Sequence, residues 1–135
     1  MYDQVRLAVI ALVDATFTAA HPTIPLVYDN TPFDRNNPPD IYVEVDVRFN
    51  GADRIAISNK SPIRDTGSVG FTVSVRENLG SKAAQDLLWE IRELLRDKTS
   101  GNVEFRLPSN LPGPTIKGWY RPLLDAPFVM TTVPT

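Results

Sequence analysis

Few residues in this 135-residue chain could carry out acid–base, nucleophilic or metal chemistry. The single histidine, His21, stands beside Pro22, so a histidine-centred proton transfer would need an acid from far along the chain. The lack of cysteine excludes thiol nucleophiles, disulfides and cysteine-ligated zinc. The acids Asp29, Asp34 and Asp40 lack the alternating spacing of a calcium loop, and we interpret them as solvated turn residues. We therefore expect no catalytic residue, no metal site, no cofactor and no enzymatic activity.

Phosphate and nucleic-acid recognition are also poorly supported. The small residues of Thr66–Gly70 could expose backbone amides, but they lack the lysine and the helix start of a phosphate-binding loop, so we predict a turn there. Lys60 and Arg64 are only two cations, and Asp65 follows directly. With 14 basic and 16 acidic residues, the net charge of −2 gives no general attraction to nucleic acid or anionic membranes. We expect no direct nucleic-acid recognition and no membrane partner.

Aromatic and charged residues indicate packing or protein contacts instead. Trp89 lies beside the apolar stripe of a predicted helix and Trp119 in a predicted strand, and for both we expect core packing, with interface contact as the alternative. Charged residues of both signs follow the polar strand faces and a connector, forming either a solvated surface or a subunit contact. This candidate interface comprises Glu44, Asp46, Arg48, Arg54, Lys60, Arg64, Asp65 and Arg76.

Length and composition favour one globular domain spanning residues 1–135. Hydrophobic residues make up 42% of the chain and charged residues 22%, close to the usual globular mixture. The longest apolar run, Leu7–Val13, is far shorter than the ~20 residues that span a bilayer. An acid precedes this run and Asp14 follows it, which disfavours a secretory signal.

The first half of the chain predicts a helix followed by strands. Apolar residues at helical spacing are Val5, Ala8, Val9, Leu12, Val13, Phe17 and Ala20. His21–Pro22 should end this helix, with His21 capping it or exposed there. A short strand at Leu26–Tyr28 and a loop at Asp29–Asp40 come next. Strict alternation from Ile41 to Phe49 then predicts a strand with one buried face.

The segment after this strand predicts a hairpin. A three-residue loop, Phe49–Gly51, keeps apolar residues on one face by pairing Val45 with Ile55 and Asp46 with Arg54. The second strand should run to about Ser58. A polar connector, Asn59–Gly67, would then lead into a third strand containing Val69, Phe71, Val73 and Val75.

The second half predicts one more helix and several strands. Ser81 should cap a helix that Gly101 stops after Lys98, and its apolar stripe comprises Ala84, Leu87, Leu88, Ile91, Leu94 and Leu95. Further strands are expected at Val103–Leu107, Ile116–Arg121 and Pro127–Val133, with a proline-rich turn at Pro108–Pro114. The predicted fold class is α+β: an antiparallel β-sheet with two α-helices packed on one face.

Taken in order, these segments resemble the tail terminator-like proteins of long-tailed bacteriophages over nearly the whole chain. Besides the opening helix, the resemblance rests on Val27–Phe33, Pro38–Val43, Gly70–Val75, Ala83–Leu95 and the tail Gly118–Phe128. The most diagnostic feature is a turn with proline and an aromatic residue, followed by Pro-Pro-Asp and an alternating strand. No segment is a catalytic signature, so the order and spacing of the segments carry the resemblance.

The resemblance implies a structural role in virion assembly. Proteins of that family form a ring, typically of six subunits, which docks on the last ring of the tail tube, stops tube growth and offers a surface for joining the head. The implied partners are other copies of the chain, the tail tube protein and the head-tail connector protein. The implied location is the host bacterial cytoplasm during assembly and then the virion tail. Another connector or neck subunit is the alternative, followed by a small-ligand or nucleic-acid-processing α+β enzyme.

Overall fold

A computed structural model describes residues 2–28, 33, 36, 38–54 and 62–132. The helical elements are α1 (Tyr2–Val9), a π-helical segment (Ile10–Asp14), α2 (Ala15–Ala20), a 3-10 turn (Glu77–Leu79) and α3 (Ser81–Leu95). The strands are β1 (Leu26–Tyr28), β2 (Ile41–Arg54), β3 (Ile63–Arg76), β4 (Thr99–Ser100), β5 (Val103–Phe105), β6 (Ser109–Leu111), β7 (Thr115–Ile116), β8 (Trp119–Tyr120) and β9 (Leu123–Thr132).

These strands form one sheet in the order β1-β2-β3-β9-β5-β4, with β6 on β9 and the β7–β8 hairpin on β3. The predicted α+β class is confirmed. The predicted antiparallel sheet is wrong at one pairing, because β1 runs parallel to β2 with Val27 opposite Glu44. A parallel pairing requires a crossover of about a dozen residues, and residues 29–40 provide that length.

The helices pack on one face of the sheet, as predicted. Alternation places Val45, Phe71 and Leu124 side by side on neighbouring strands, and these side chains are at most 2% exposed. The helical side chains that join this core are Val5, Ala8, Val9, Val13, Phe17, Ala84, Leu87, Leu88, Ile91 and Leu95. Both predicted helix stripes are therefore confirmed over most of their length, whereas Ala20 is exposed.

The predicted turn at Phe49–Gly51 is wrong. Strand β2 continues through this segment to Arg54, and a bulge between Phe49 and Gly51 absorbs one extra residue. Asp46 consequently pairs with Gly70 rather than with Arg54. The predicted end of the second strand, residues 55–58, lies outside the described residues.

Most of the predicted connector is also wrong, because Ile63–Gly67 belongs to β3 and pairs with both β2 and β9. Only residues 59–61 of the predicted connector lie outside the described part of the chain. Gly67 therefore lies inside a central strand instead of in a turn. A Cβ at this position would lie 2.1 Å from the Arg48 carbonyl oxygen and 2.8 Å from Cζ of Phe128, so glycine is required by close approach.

Several boundaries in the second half differ from the prediction. Gly80 occupies the N-cap of α3 and no side chain caps the helix, so the predicted Ser81 cap is wrong. The helix ends at Leu95, and Gly101 instead turns the chain between β4 and β5 with a positive φ of 60°. The predicted proline-rich turn contains β6, and the last strand begins at Leu123. The predicted helix end at His21 is confirmed, because its amide donates to the Phe17 carbonyl as the C-cap of α2.

Two hydrogen bonds to one carboxylate join the first helical region to the edge of the sheet, one of them exposed and the other partly buried. Asp14 accepts hydrogen bonds from Thr18 Oγ1 at 2.8 Å and from the Tyr28 hydroxyl at 3.2 Å. Burial raises the pKa of Tyr28 well above its ordinary value of 10.0, and the neighbouring Asp14 carboxylate raises this pKa further.

This raised pKa predicts a specific loss of stability in alkali. The hydroxyl of Tyr28 keeps its proton in the folded state when the unfolded chain begins to lose it, so unfolding is favoured as the pH rises above about 10. We expect the free energy of unfolding, measured by urea titration, to fall less steeply for Tyr28→Phe than for the wild-type protein between about pH 9.5 and 11. Parallel curves for the two proteins above pH 10 would contradict this assignment.

Candidate protein interaction surfaces

The face of the sheet opposite the helices carries most of the predicted interface residues. Alternation along β2 and β3 places five of the predicted residues there, and we call these five the sheet surface: Glu44, Asp46, Arg48, Arg64 and Arg76. No described helix covers this face. Exposure is greatest near the bulge in β2, where Arg48 and Arg64 are exposed, whereas Glu44 and Asp46 are half-buried.

Ion pairs organise part of the sheet surface. Arg48 Nε lies 2.6 Å from Asp46 Oδ2, and Arg76 Nε lies 3.6 Å from Asp40 Oδ1. All four side chains are at least 40% exposed, so each pair contributes about 0–1 kcal/mol to folding. These charges therefore stabilise the isolated chain little and remain accessible to a protein partner.

A small aromatic cluster packs at one end of the same face. The Trp119 ring is 8% exposed, lies edge-on to Tyr42 at 5.5 Å and accepts the Arg76 guanidinium at 4.0 Å from its centroid. The Tyr42 ring in turn lies 4.9 Å from that of Phe33. The predicted packing of Trp119 is confirmed, although it occurs on the helix-free face and not in the main core.

The remaining predicted interface residues do not join the sheet surface. Asp65 lies on the helix-facing side between Ala52 and Met130 and is 7% exposed, so its assignment to an exposed connector is wrong. The backbone of Arg54 pairs with Ile63, and its side chain lies outside the described part of the structure. Lys60 lies outside the described residues, as do Asp29 and Asp34. The structure thus places five of the eight candidates on one face of the sheet.

Core packing is the wrong prediction for Trp89. The buried side of α3 is formed by its apolar stripe, and Trp89 projects from the outer side with 59% of its surface exposed. The Arg92 guanidinium lies 4.8 Å from the ring centroid. Helical spacing is the signal that could have revealed this exposure. Trp89 is one residue from Leu88 and two from Ile91, so it points away from the stripe that these two residues belong to.

Two clefts meet at the Trp89 ring. The larger one, 510 Å³, lies between α3 and the β6 region and is lined by Gln85, Asp86, Leu88, Trp89, Arg92, Pro108, Asn110 and Leu124. The smaller one, 270 Å³, lies between α2 and α3 and is called the Trp89 cleft below. It is lined by Thr16, Phe17, Ala20, Trp89, Glu90, Glu93 and Leu94.

A tight hairpin replaces the predicted Ile116–Arg121 strand. Lys117 and Gly118 form its two-residue turn with positive φ values of 51° and 84°, which suits the right-handed twist of the flanking strands. Ile116 precedes the turn and is 50% exposed, and we call Ile116–Lys117 the hairpin tip. The signal that could have revealed it is a lysine–glycine pair between Ile116 and Trp119.

His21 lies at the junction of α2 and α3. Its Nε2 atom lies 2.6 Å from Glu90 Oε2, and its ring centroid lies 5.0 Å from that of Phe17. The histidine therefore links two helices besides standing at a helix end. Within the described ranges, no group of three histidine, aspartate or glutamate residues could hold a metal ion, and no helix has the length and apolarity to cross a membrane.

Comparison with known proteins supports the class of fold. A solved structure whose name conveys no function superposes with a TM-score of 0.75, covering 100% of this chain and 99% of the other. At 19% sequence identity, this similarity shows a shared α+β fold over the full length of both chains. No protein-family model matches the sequence, and no curated protein sequence matches it significantly.

Proposed function

We propose that this protein is a structural tail terminator of a long-tailed bacteriophage or prophage. It forms a six-subunit ring on the end of the tail tube, stops tube polymerisation and provides the surface that joins the head. The observation that supports this best is the sheet surface, an accessible face with both charge signs outside the helix-packed core. The order of sequence segments that resembles the tail terminator-like family supports it independently.

The sheet surface suits contact with another protein more than small-molecule chemistry. Its charges lie along two neighbouring strands, so their spacing is set by the sheet and not by flexible loops. Complementary charges on a partner would fix orientation and speed association. In the proposed assembly the partners are neighbouring copies, the tail tube protein and the head-tail connector protein, in the bacterial cytoplasm and then in the virion tail.

Electron microscopy of tail tubes lacking their terminator tests this function directly. We expect the wild-type protein to form rings on tube ends and to stop further growth when tube protein is added. The Arg48→Glu/Arg64→Glu variant should need at least about tenfold more protein for the same capping, since it reverses two exposed charges of the sheet surface.

Lys82→Glu/Lys98→Glu is the matched control, because it changes the net charge equally at exposed positions away from the sheet surface. Circular dichroism melting checks that both variants fold. Unchanged capping by the sheet-surface variant would contradict the role of this face, and wild-type protein that never binds tube ends would contradict the function. Binding to a connector without binding to tubes would favour the neck-subunit alternative.

A further inference from the structure

We propose that Ser74 and Arg121 form a binding site for a carboxylate of a neighbouring protein in the assembly. Both residues lie on the helix-free face of the sheet, where Arg76 of the sheet surface is two positions along β3 from Ser74. Neither the Trp89 cleft nor the hairpin tip supplies a residue to this site. The inference rests on the proposed function, and it names the chemical group that would hold a partner on this face: an aspartate or glutamate side chain.

The strand register places Ser74 and Arg121 side by side. Val75 pairs with Tyr120, and this pairing continues in the same register into the β3–β9 ladder, so Ser74 lies opposite Arg121. Val75 belongs to the helix-covered core, and alternation therefore puts its neighbour Ser74 on the other face. Residues directly opposite each other have Cβ atoms about 4.5–5.5 Å apart, so one ligand oxygen between them is within reach of both side chains.

Each of the two side chains has a buried hydrogen-bonding atom without a partner. These atoms are Ser74 Oγ and Arg121 Nε, and in the described part of the chain no other buried side-chain nitrogen or oxygen lacks one. Ser74 is 0% exposed, and buried polar groups are paired in the great majority of native structures. Because a hydroxyl and an arginine Nε can both donate a hydrogen, what the pair lacks is an acceptor.

Arg121 also lacks a counter-ion. Among the described residues no carboxylate forms an ion pair with its guanidinium, whereas Arg76 on the same face lies 3.6 Å from Asp40. Arg121 is half-buried and always charged, so the isolated chain bears a desolvation cost that a carboxylate would offset. A carboxylate accepts two parallel hydrogen bonds from one guanidinium, and its oxygen beside Nε can also accept from the Ser74 hydroxyl.

The surrounding charges favour a single carboxylate over the phosphates of a nucleic acid. Three acids, Glu44, Asp46 and Asp125, lie on the same face, and the net charge of the chain is −2. These charges repel a polyanion along the face, whereas one carboxylate meets the two arginines at the end of the face where Arg76 lies. The aromatic cluster at that end offers adjacent contact area to a protein that carries the carboxylate.

Arg121→Gln and Ser74→Ala test the site through the protein concentration needed for half-maximal capping of tail tubes that lack their terminator. We expect Arg121→Gln to need at least about tenfold more protein, and Ser74→Ala at least about threefold more, as the loss of a charged and of a neutral hydrogen bond predicts. Arg106→Gln is the matched control for charge, since Arg106 pairs with Glu104 at 3.1 Å within the chain. Ser100→Ala, in the edge strand β4, is the control for the hydroxyl.

The isolated protein gives a second readout. Ser74→Ala should leave the urea midpoint unchanged or raise it, because the hydroxyl has no hydrogen bond to lose in the free chain. Weaker capping with an undiminished midpoint is therefore the expected pair of results. A lower midpoint would show that the Ser74 hydroxyl is bonded within the chain, and it would contradict the site.

Arg121→Lys tests the class of the ligand, because a carbodiimide joins an amine directly to a carboxylate that it contacts. Lysine keeps the positive charge, so this variant should cap tubes better than Arg121→Gln. On capped tubes we expect the introduced lysine to be joined to an aspartate or glutamate of another chain, which mass spectrometry of the digested product identifies. Arg106→Lys should give no link to another chain.

The outcomes separate this site from the proposed function. Unchanged capping by Arg121→Gln, or capping by Arg121→Lys without a link to another chain, overturns the carboxylate site and leaves the proposed function standing. A link from the lysine introduced at Arg121 to an acid of its own chain overturns the site equally. Wild-type protein that does not bind tube ends overturns both.

Discussion

Gly67→Ala should lower the free energy of unfolding by about 3 kcal/mol or more, because central strand β3 has no room for a side chain at this position. The added Cβ would lie 2.1 Å from the Arg48 carbonyl oxygen, which is fixed in the β2–β3 ladder. It would also lie 2.8 Å from Phe128, whose ring packs edge-on against Phe49 at 5.4 Å across the glycine. Neither neighbour can move without disturbing the pairing of three strands.

Gly51→Ala is the control for Gly67→Ala, because an added Cβ at Gly51 would meet nothing within 4 Å. Urea titration of both variants at neutral pH measures the difference in midpoint at constant slope. We expect the Gly51 variant to stay within about 0.5 kcal/mol of the wild-type protein. Equal stabilities for the two variants would show that β3 is not held between Phe49 and Phe128 as described.

Leu88→Ala should lower the free energy of unfolding by about 2–5 kcal/mol, the range for truncating a fully buried leucine side chain to alanine. Leu88 is 0% exposed in α3 and belongs to the core that joins both helical regions to the sheet. Alanine is the best helix former, so the loss reports the cavity and the lost apolar burial, not a weaker helix.

Leu79→Ala is the corresponding control, since Leu79 is the same residue type shortly before α3 but is 43% exposed. We expect a change of less than about 1 kcal/mol there, because much of this side chain already contacts water. Thermal and urea unfolding of both variants provide the comparison. A Leu88→Ala protein as stable as the Leu79→Ala protein would contradict the packing of α3 on the sheet.

Together these variants separate folding from assembly. The core substitutions act on positions inside the protein, whereas the sheet surface lies outside the main core. A loss of capping in the sheet-surface variant, with unchanged unfolding, therefore reports on contacts between molecules.

Local periodicity in the sequence was sufficient to determine the two helices, their buried stripes, the alternating strand from Ile41 and the α+β class. Each of these depends on side chains a few residues apart that share one buried face, so the pattern is visible along the chain. The positions of Glu44, Asp46, Arg48 and Arg76 followed from the same alternation, because polar residues occupy the opposite face of the same strands. Arg64 was predicted in a connector, and it joins this face because β3 begins at Ile63.

Tertiary structure alone decided the features that depend on partners distant in sequence. Asn50–Gly51 forms a bulge instead of a turn because β2 pairs with β3 on both sides of it. Glycine is required at position 67 because Phe128, on a neighbouring strand, leaves no room for a side chain. Asp65 is buried because Ile63–Gly67 lies between β2 and β9. Register and close approach arise when strands meet, so the local pattern of one segment does not specify them.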